Sequence, residues 1–377
     1  MAHVIGDELM SDDFVDVMAL DRGRGFRLLS AQGPVFTPWE GTYVLTRRED
    51  ILAVLRNPEL TVSARTSPVT GLPLDKRQHD LFVKLFDRAA TSVMTVVIRE
   101  SAREVIEHVA GGQGCDGIAD VALPFVSSVL QGICDLDPDD AYVELVETHD
   151  GAGSLHCLDM AEGVIAARRE NPGGDIISRM LVEAPELPDQ EIDWLTSQFV
   201  CPATIFIATP LGHALLELAR RPELRDRLRG NPKDQPVFVN EMLRLEGSAM
   251  AGARTVAPLT VAGVNIPVGS TLHLWMALLN RDGSDEFSTD ELRMDGRHRQ
   301  YAFGVGPRRC PAAHFVRTVL AVFVDEWLCR IPTFDVDPDC TPRVYYPDRF
   351  LGSVDLMFVL RELPLRWPVT GLVVAWS

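Results

Sequence analysis

The spacing of apolar residues predicts a protein built mainly of helices. Apolar positions recur at the three- to four-residue interval of a helix over many segments. These predicted helices span residues 49–55, 75–99, 101–110, 123–136, 160–169, 190–218, 223–228, 237–245 and 311–329. Strands are predicted at 42–46 and around a turn within 259–274. Because helices predominate, the pattern favours a mainly α fold with small β sheets and disfavours a doubly wound parallel sheet.

The most apolar stretch, 199–218, contains Pro202, Pro210, Gly212 and His213. This make-up favours a long buried helix over a membrane span. Each proline lacks an N–H, so the carbonyls of the residues four positions earlier, Gln198 and Phe206, lose their usual partners and a kink is expected. No repeat or long linker divides the chain, and we expect one domain over residues 1–377.

Charge and cysteine usage narrow the classes of partner. The formal net charge of −18 argues against binding to nucleic acid or anionic membranes. The first 20 residues contain early acids and no basic segment, so no secretory signal is expected. The seven cysteines lack the paired spacing of disulfide or zinc motifs, which favours free thiols in a reducing cytoplasm.

One glycine-rich segment has the composition of a metal-ligand loop. Residues 303–310 read Phe-Gly-Val-Gly-Pro-Arg-Arg-Cys and lead into the last long predicted helix. Glycines permit a tight turn, and Cys310 precedes a helix N-terminus, where the positive end of the dipole favours a thiolate. Such a thiolate suits an iron porphyrin, whose carboxylates suit Arg308 and Arg309. The plain alternative is a turn with an idle cysteine before a core helix.

This segment resembles the cysteine loop of the cytochrome P450 superfamily, Phe-Gly-x-Gly-x-(His or Arg)-x-Cys-x-Gly. Glu241 and Arg244 match the family's Glu-x-x-Arg motif, and Arg297 is similar to the third member of that cluster. The resemblance runs over nearly the whole chain. It implies a triangular helical prism with haem b between the long central helix and the cysteine-loop helix, and it implies that Cys310 is the axial ligand of the iron.

The resemblance also implies the residues around the haem. Those that would bind the cofactor are His79, Arg254, Phe303, Gly304, Arg308 and Ala312. Three features outside the long central helix depart from the family pattern. Val83 replaces an arginine one turn after His79, Ala312 replaces a glycine, and the segment between Leu136 and Asn171, which forms a lid in relatives, is short. A short lid suggests an open pocket, or one closed by a partner or carrier domain.

The central departure concerns proton delivery. Monooxygenases of the family place an acid and then an alcohol in the long helix, where they deliver protons to dioxygen. Counted from the Arg-Pro-Glu at 221–223, these positions are Ile205 and Phe206. Thr204 and Thr209 are the candidate substitutes. By family position, the predicted substrate pocket is apolar and consists of Ala203, Ile205, Phe206, Met250 and Ala251.

Three functions follow from these residues. The first is a haem-thiolate oxidoreductase of bacterial secondary metabolism that hydroxylates, couples or cyclises a lipophilic or carrier-bound intermediate. Its protons would come from water, substrate or peroxide, and its electrons from a separate ferredoxin-type protein docked near Arg308, Arg309 and Arg317. The second is a haem enzyme that rearranges, dehydrates or cyclises its substrate without external electrons. The third is a degenerate relative that assists a partner enzyme.

Overall fold

The architecture comes from a computed structural model. It describes residue 17 and the ranges 21–38, 40–63, 69–136, 161–247, 251–281, 290–297, 299–345 and 359–368, together with residue 67. Some positions inside these ranges, including 201, 205 and 251, are described by their backbone alone. The predicted lid segment and Met250 lie outside the described residues.

Twelve α-helices form most of the described chain. They are α1 Arg22–Ser30, α2 Arg48–Arg56, α3 Lys76–Leu85, α4 Arg88–Ala110, α5 Leu123–Cys134, α6 Glu162–Glu170, α7 Ile176–Glu183, α8 Asp189–Arg220, α9 Pro222–Gly230, α10 Gln235–Glu246, α11 Met276–Leu279 and α12 Ala313–Arg330. A π-helical turn, Gly117–Ala122, leads into α5, and short 3-10 turns lie at Pro232–Asp234 and Gly306–Arg308. The mainly α prediction is confirmed.

Small sheets flank the helices. The strands are β1 Val35–Phe36, β2 Thr42–Leu45, β3 Thr61–Ser63, β4 Gly114–Asp116, β5 Ala251–Thr255, β6 Leu259–Val261, β7 Val264–Ile266, β8 Thr271–Leu274, β9 Asp335–Val336, β10 Arg343–Tyr345, β11 Val359–Glu362 and β12 Pro364–Arg366. The largest sheet has the order β1-β2-β8-β5-β3, in which β2 and β8 are parallel. β6 and β7 form a hairpin, β10 pairs with β11, and β4-β12-β9 forms a three-stranded sheet.

The main core lies between α4, α8, α10 and α12, and the long helix α8 passes through it. Two helical segments, Gly117–Cys134 and Asp189–Arg220, are long and apolar enough to cross a membrane. Most of their residues are buried inside the protein, as in the core helices of soluble proteins. The helix α8 continues through both Pro202 and Pro210, as the apolar pattern predicts.

One predicted helix boundary was wrong. The break in the predicted helices was placed at Glu100, between 75–99 and 101–110, but it lies at Phe86 and Asp87. The Asp87 carboxylate caps α4 by accepting a hydrogen bond from the Ala90 N–H at 2.8 Å, and such a cap sets a helix start. Ser101 instead lies buried within α4, where its hydroxyl accepts a hydrogen bond from Ser128 at 2.8 Å.

Candidate functional site

The cysteine loop is a closed turn at the start of α12. The Cys310 N–H donates to the carbonyl of Phe303 at 2.8 Å, and the Gly304 N–H donates to the carbonyl of Tyr301 at 2.8 Å. The Phe303 ring packs under the Arg317 guanidinium, 4.6 Å from its carbon. These contacts hold Cys310 at the entrance to the helix.

Both glycines of the loop adopt the left-handed backbone conformation, with φ of +67° at Gly304 and +75° at Gly306. They differ in their surroundings. A Cβ on Gly306 would lie 2.9 Å from the Leu55 carbonyl oxygen, so this glycine permits close packing on α2. A Cβ on Gly304 would meet nothing within 4 Å. There is therefore open space beside the loop next to Phe303.

The Cys310 thiol is subject to opposing electrostatic effects. Loss of water around the sulfur raises its pKa, and this effect is the largest. The backbone N–H of Ala312 and the positive charges of Arg309 and Arg317 lower it. The expected stabilisation of a thiolate is present, but burial outweighs it. A bound metal cation would supply the missing charge, because coordination deprotonates a thiol outright.

Three basic side chains predicted to bind the cofactor lie in this loop or on elements linked to it. His79, on α3, places Nε2 3.0 Å from the carbonyl oxygen of Arg309. Arg308 donates to the backbone carbonyl of Thr61 and to its hydroxyl, the latter at 3.0 Å. The exposed Arg254 lies on β5 beside β3, opposite Val62. The fold thus gathers residues from positions 79, 254 and 308, although the sequence separates them widely.

Lys84 does not take the place of the arginine that Val83 replaces. The Val83 side chain is exposed, and its neighbour Lys84 points to Glu183, with 2.8 Å between the two charged groups. The ion pair raises the pKa of Lys84 and lowers that of Glu183. Lys84 therefore forms a surface pair with α7.

A buried ion pair supports the approach to the loop. Glu241 and Arg244, on α10, form two hydrogen bonds of 2.9 and 2.8 Å. Arg244 also donates to the Glu291 carbonyl at 2.7 Å, and the Arg293 N–H donates to Glu241 at 3.0 Å. Arg297, the predicted third member, has an exposed side chain and forms none of these bonds. The backbone at 291–293 takes its place.

One face of α8 is only partly covered. The half-buried residues Phe199, Pro202, Ala203, Phe206 and Thr209 follow one another at helical spacing. Phe199 packs edge-to-face on Phe86, with ring centroids 5.4 Å apart, and Phe86 packs on Phe315 of α12 at 5.3 Å. The half-buried face of α8, called the cavity face below, therefore turns toward the helix that follows Cys310.

The two candidate relay threonines have different surroundings. Thr204 is buried, and its hydroxyl donates to the Val200 carbonyl of its own helix at 3.2 Å. Thr209 lies on the half-buried face, and its buried hydroxyl oxygen has no hydrogen-bond partner among the described residues. Of the two hydroxyls, only that of Thr209 keeps its donor available, because the Thr204 hydroxyl already donates its proton.

Several predicted pocket residues are described only in part. The backbone of Ile205 is helical and that of Ala251 begins β5, which pairs with β8. Their side chains, and Met250, lie outside the described part of the chain. Sequence reasoning missed Thr61, which binds Arg308, and Phe199, which lies on the cavity face. No local signal marks either, because each is brought to the site by tertiary packing.

No protein-family model matches the chain. Similar curated proteins include nocardicin C N-oxygenase of Nocardia uniformis, 27% identical over 94% of this chain and 98% of its own length. Erythromycin C-12 hydroxylase of Saccharopolyspora erythraea is 25% identical over 88% and 92%. The probable cytochrome P450 127A1 of Sinorhizobium fredii is 27% identical over 80% of each chain.

Solved structures show the same fold. Cytochrome P450 CYP101C1 superposes with a TM-score of 0.81 over 94% of this chain and 95% of its own, at 21% identity. P450BioI in complex with an acyl carrier protein ligated to hexadec-9Z-enoic acid superposes with a TM-score of 0.78 over 93% and 100%, at 19% identity. The chain belongs to the cytochrome P450 superfamily. It is an oxidoreductase of the P450 type, and membership implies a haem cofactor.

The residues of this P450 fit a haem. A sulfur donor, Cys310, lies beside open space at Gly304, and an apolar helix face turns toward that end of α12. Basic side chains at 79, 254 and 308 match the two carboxylates of the porphyrin. A flat apolar ring with one charged edge and a metal centre requires these three kinds of partner.

Proposed function

We propose that this P450 oxidises a lipophilic or carrier-bound intermediate of bacterial secondary metabolism by hydroxylation, coupling or cyclisation. The observation on which the proposal rests is the Cys310 thiol, held at the start of α12 beside open space and near the apolar face of α8. Haem b, with Cys310 as axial ligand, would supply the one-electron and dioxygen chemistry of the reaction.

The protein's own residues then have separate tasks. His79, Arg254 and Arg308 would hold the carboxylates of the cofactor. Phe303 and Ala312 would contact it, and Gly304 leaves room for it. Phe206, with Ala203, excludes water and presents an apolar wall to the substrate. Because Ile205 and Phe206 cannot move protons, these must come through water, substrate or peroxide.

The relatives support the substrate class. Besides the nocardicin and erythromycin enzymes, mycinamicin IV hydroxylase/epoxidase of Micromonospora griseorubida is 29% identical over 78% of this chain. The names of these three relatives each specify oxidation of a secondary metabolite. The P450BioI complex supports a carrier-bound substrate as the alternative delivery form.

A separate ferredoxin-type protein is the proposed electron donor, in a cytoplasmic setting. The exposed Arg309 and the half-buried Arg317 carry positive charge beside the cysteine loop of an acidic chain. Such a local patch attracts an acidic partner. Arg309→Gln should weaken binding of the electron donor and leave the other steps of the reaction unchanged. Unchanged donor affinity in this variant and in Arg317→Gln would count against the docking site.

A second function is favoured by one observation. The positions of the acid and the alcohol hold Ile205 and Phe206, and this loss is expected in enzymes that rearrange or dehydrate a substrate without external electrons. The helper function is less well supported, because the residues of the cysteine loop are retained.

The deciding experiment supplies the purified holoprotein with a panel of lipophilic and carrier-bound compounds. Compounds that bind are identified by their shift of the haem absorbance. Each is then incubated with dioxygen, a ferredoxin and its reductase. Product that requires the donor supports the proposed oxidation, and product formed equally without the donor supports the second function. If the protein binds haem but converts none of the bound compounds, with or without the donor, the result supports the helper function.

A further inference from the structure

A polar stripe continues the cavity face of α8 toward solvent. Thr209, His213 and Glu217 follow one another at intervals of four residues. Residues at this spacing lie about 40° apart around a helix and one turn apart along it. Helical side chains lean toward the N-terminus, so each of these reaches toward the one before it. The proposed function gives this stripe no role.

Two polar atoms of the stripe lack hydrogen-bond partners. Thr209 Oγ1 and His213 Nε2 are buried and have no hydrogen-bond partner among the residues that the structure describes. Glu217 Oε2 and Glu246 Oε2 are buried as well, but each takes part in an ion pair, with Arg221 and with Arg22 respectively. Unsatisfied buried polar groups are rare and costly. Where several converge, an internal water with two to four polar partners is the usual solution.

His213 occupies the centre of this group. Its Nε2 lies 3.5 Å from Glu246 Oε2. Glu246 also pairs with Arg22, and with Arg281 at 3.0 Å. Burial, together with the nearby charges of Arg22, Arg281 and Arg220, lowers the pKa of His213 to about 3, against the opposing effect of Glu246. The imidazole is therefore neutral, with one nitrogen that donates and one that accepts.

The stripe reaches solvent at one end. Glu217 pairs with Arg221 at 3.0 Å, and the Arg221 side chain is 42% exposed. Burial raises the pKa of Glu217. A carboxyl whose pKa is raised toward neutrality is suited to take up and release a proton.

The other end reaches the cavity face of α8. Thr209 lies on the half-buried face beside Phe206 and Pro202. Pro210 has no N–H, so the Phe206 carbonyl lacks its usual helical donor. This carbonyl is a further acceptor for water next to Thr209. Polar groups that can bind water thus extend along α8 from Arg221 to the carbonyl that Pro210 leaves without a donor.

We propose that Glu217, His213 and Thr209 hold a chain of internal water that conducts protons from solvent to the cavity. Each proton that Glu217 takes from solvent is matched by one that leaves near Thr209 for an acceptor in the cavity. His213 accepts on one nitrogen and donates from the other, so its charge does not change. The destination of the proton rests on the proposed function, whereas the water chain does not.

The first test is structural. A high-resolution crystal structure of the holoprotein should show ordered water within hydrogen-bond distance of both Thr209 Oγ1 and His213 Nε2. Thr209→Val should lose that water, and Thr209→Ser should retain it. Thr196→Val is the matched control, because the Thr196 hydroxyl is buried in the same helix and donates to the Ile192 carbonyl at 2.9 Å. A dry stripe in the parent protein overturns the inference.

The second test needs no substrate. The dithionite-reduced holoprotein is mixed with dioxygen, and its reoxidation is followed in H₂O and in D₂O. Thr209→Val and Glu217→Gln should slow reoxidation about a hundredfold, the lower end of the range for loss of a proton-transfer group. Thr209→Ser and Thr196→Val should keep the parental rate and isotope effect. Equal rates in all five proteins overturn the role in proton conduction.

The two proposals can fail separately. In one case, the parent protein forms oxidised product while its stripe holds no water and the variants reoxidise at the parental rate. That result overturns the water chain and leaves the proposed function intact. In the opposite case, the stripe holds ordered water and the variants reoxidise slowly, but the protein oxidises none of the compounds that it binds. That result overturns the proposed function and leaves the water chain intact.

Discussion

The Thr204 hydroxyl donates a hydrogen bond to the Val200 carbonyl, 3.2 Å away within the same helix. This bond occupies the donor that a proton relay would need. Thr204→Val should therefore preserve oxidative turnover and the yield of product per electron. The neutral hydrogen bond contributes about 1 kcal/mol to stability. Product yield and the free energy of unfolding, measured in parallel, check both statements, and a large fall in yield would restore Thr204 as the relay.

His79 links α3 to the cysteine loop through its 3.0 Å contact with the Arg309 carbonyl. His79→Ala removes this contact and a basic group near the cofactor. Loss of one such hydrogen bond, worth about 1.4 kcal/mol, corresponds to about a tenfold faster loss of haem. Transfer of haem to an excess of a scavenging apoprotein measures the rate. His108→Ala, an exposed position on α4, is the control. Equal rates in both variants would contradict the assignment.

The Glu241–Arg244 pair is expected to dominate the stability of the region before the loop. Both side chains are buried, with exposures of 2% and 0%. Arg244→Leu leaves the Glu241 charge buried without its partner, and such a change costs about 3–5 kcal/mol. Urea denaturation measures the loss. Lys84→Gln breaks an exposed pair, so it should leave stability within error. Similar effects of the two substitutions would refute the buried-pair interpretation.

His213 makes stability depend on pH. Its pKa is about 3 in the folded protein, against about 6.5 when unfolded. The contribution of His213 to the free energy of unfolding is therefore complete when the pH is above the pKa of the unfolded state. As the pH falls below that pKa, the contribution decreases by about 1.4 kcal/mol per pH unit, because only the unfolded state takes up the proton. The lowered pKa of Glu246 acts only at more acidic pH.

Urea denaturation at several pH values between about 7 and 5 tests this dependence. His213→Gln should make the free energy of unfolding fall less steeply with decreasing pH. Part of the fall should remain in this variant, because burial also lowers the pKa of His273, to about 4. Parallel curves for the parent protein and the variant would show that His213 titrates normally.

The periodicity of apolar residues predicted the long elements well. The helices near 190–218 and 311–329 were found because each has enough turns for the pattern to repeat. The break at Asp87 was missed because apolar spacing runs through it and only the cap marks the start of α4. Strands of two to four residues, such as β9 and β12, are too short for a pattern to register.

Motif reasoning located the loop but not its partners. Phe303, the two glycines and Cys310 are contiguous, so their order alone identified the turn. The contact of Arg308 with Thr61 joins residues 247 positions apart, and no local signal predicts it. The sequence also did not indicate the burial of the Cys310 thiol. The sequence indicated the charges that lower the pKa of Cys310, whereas only the fold shows the loss of water that raises it.

The central claim is that Cys310 ligates a haem iron through sulfur. The most direct measurement is the absorbance spectrum of the reduced holoprotein under carbon monoxide. The account predicts the long-wavelength band from which the superfamily takes its name, and its loss in Cys310→Ala. A parent protein that binds no haem, or whose band lies where histidine-ligated haems absorb, would contradict the claim.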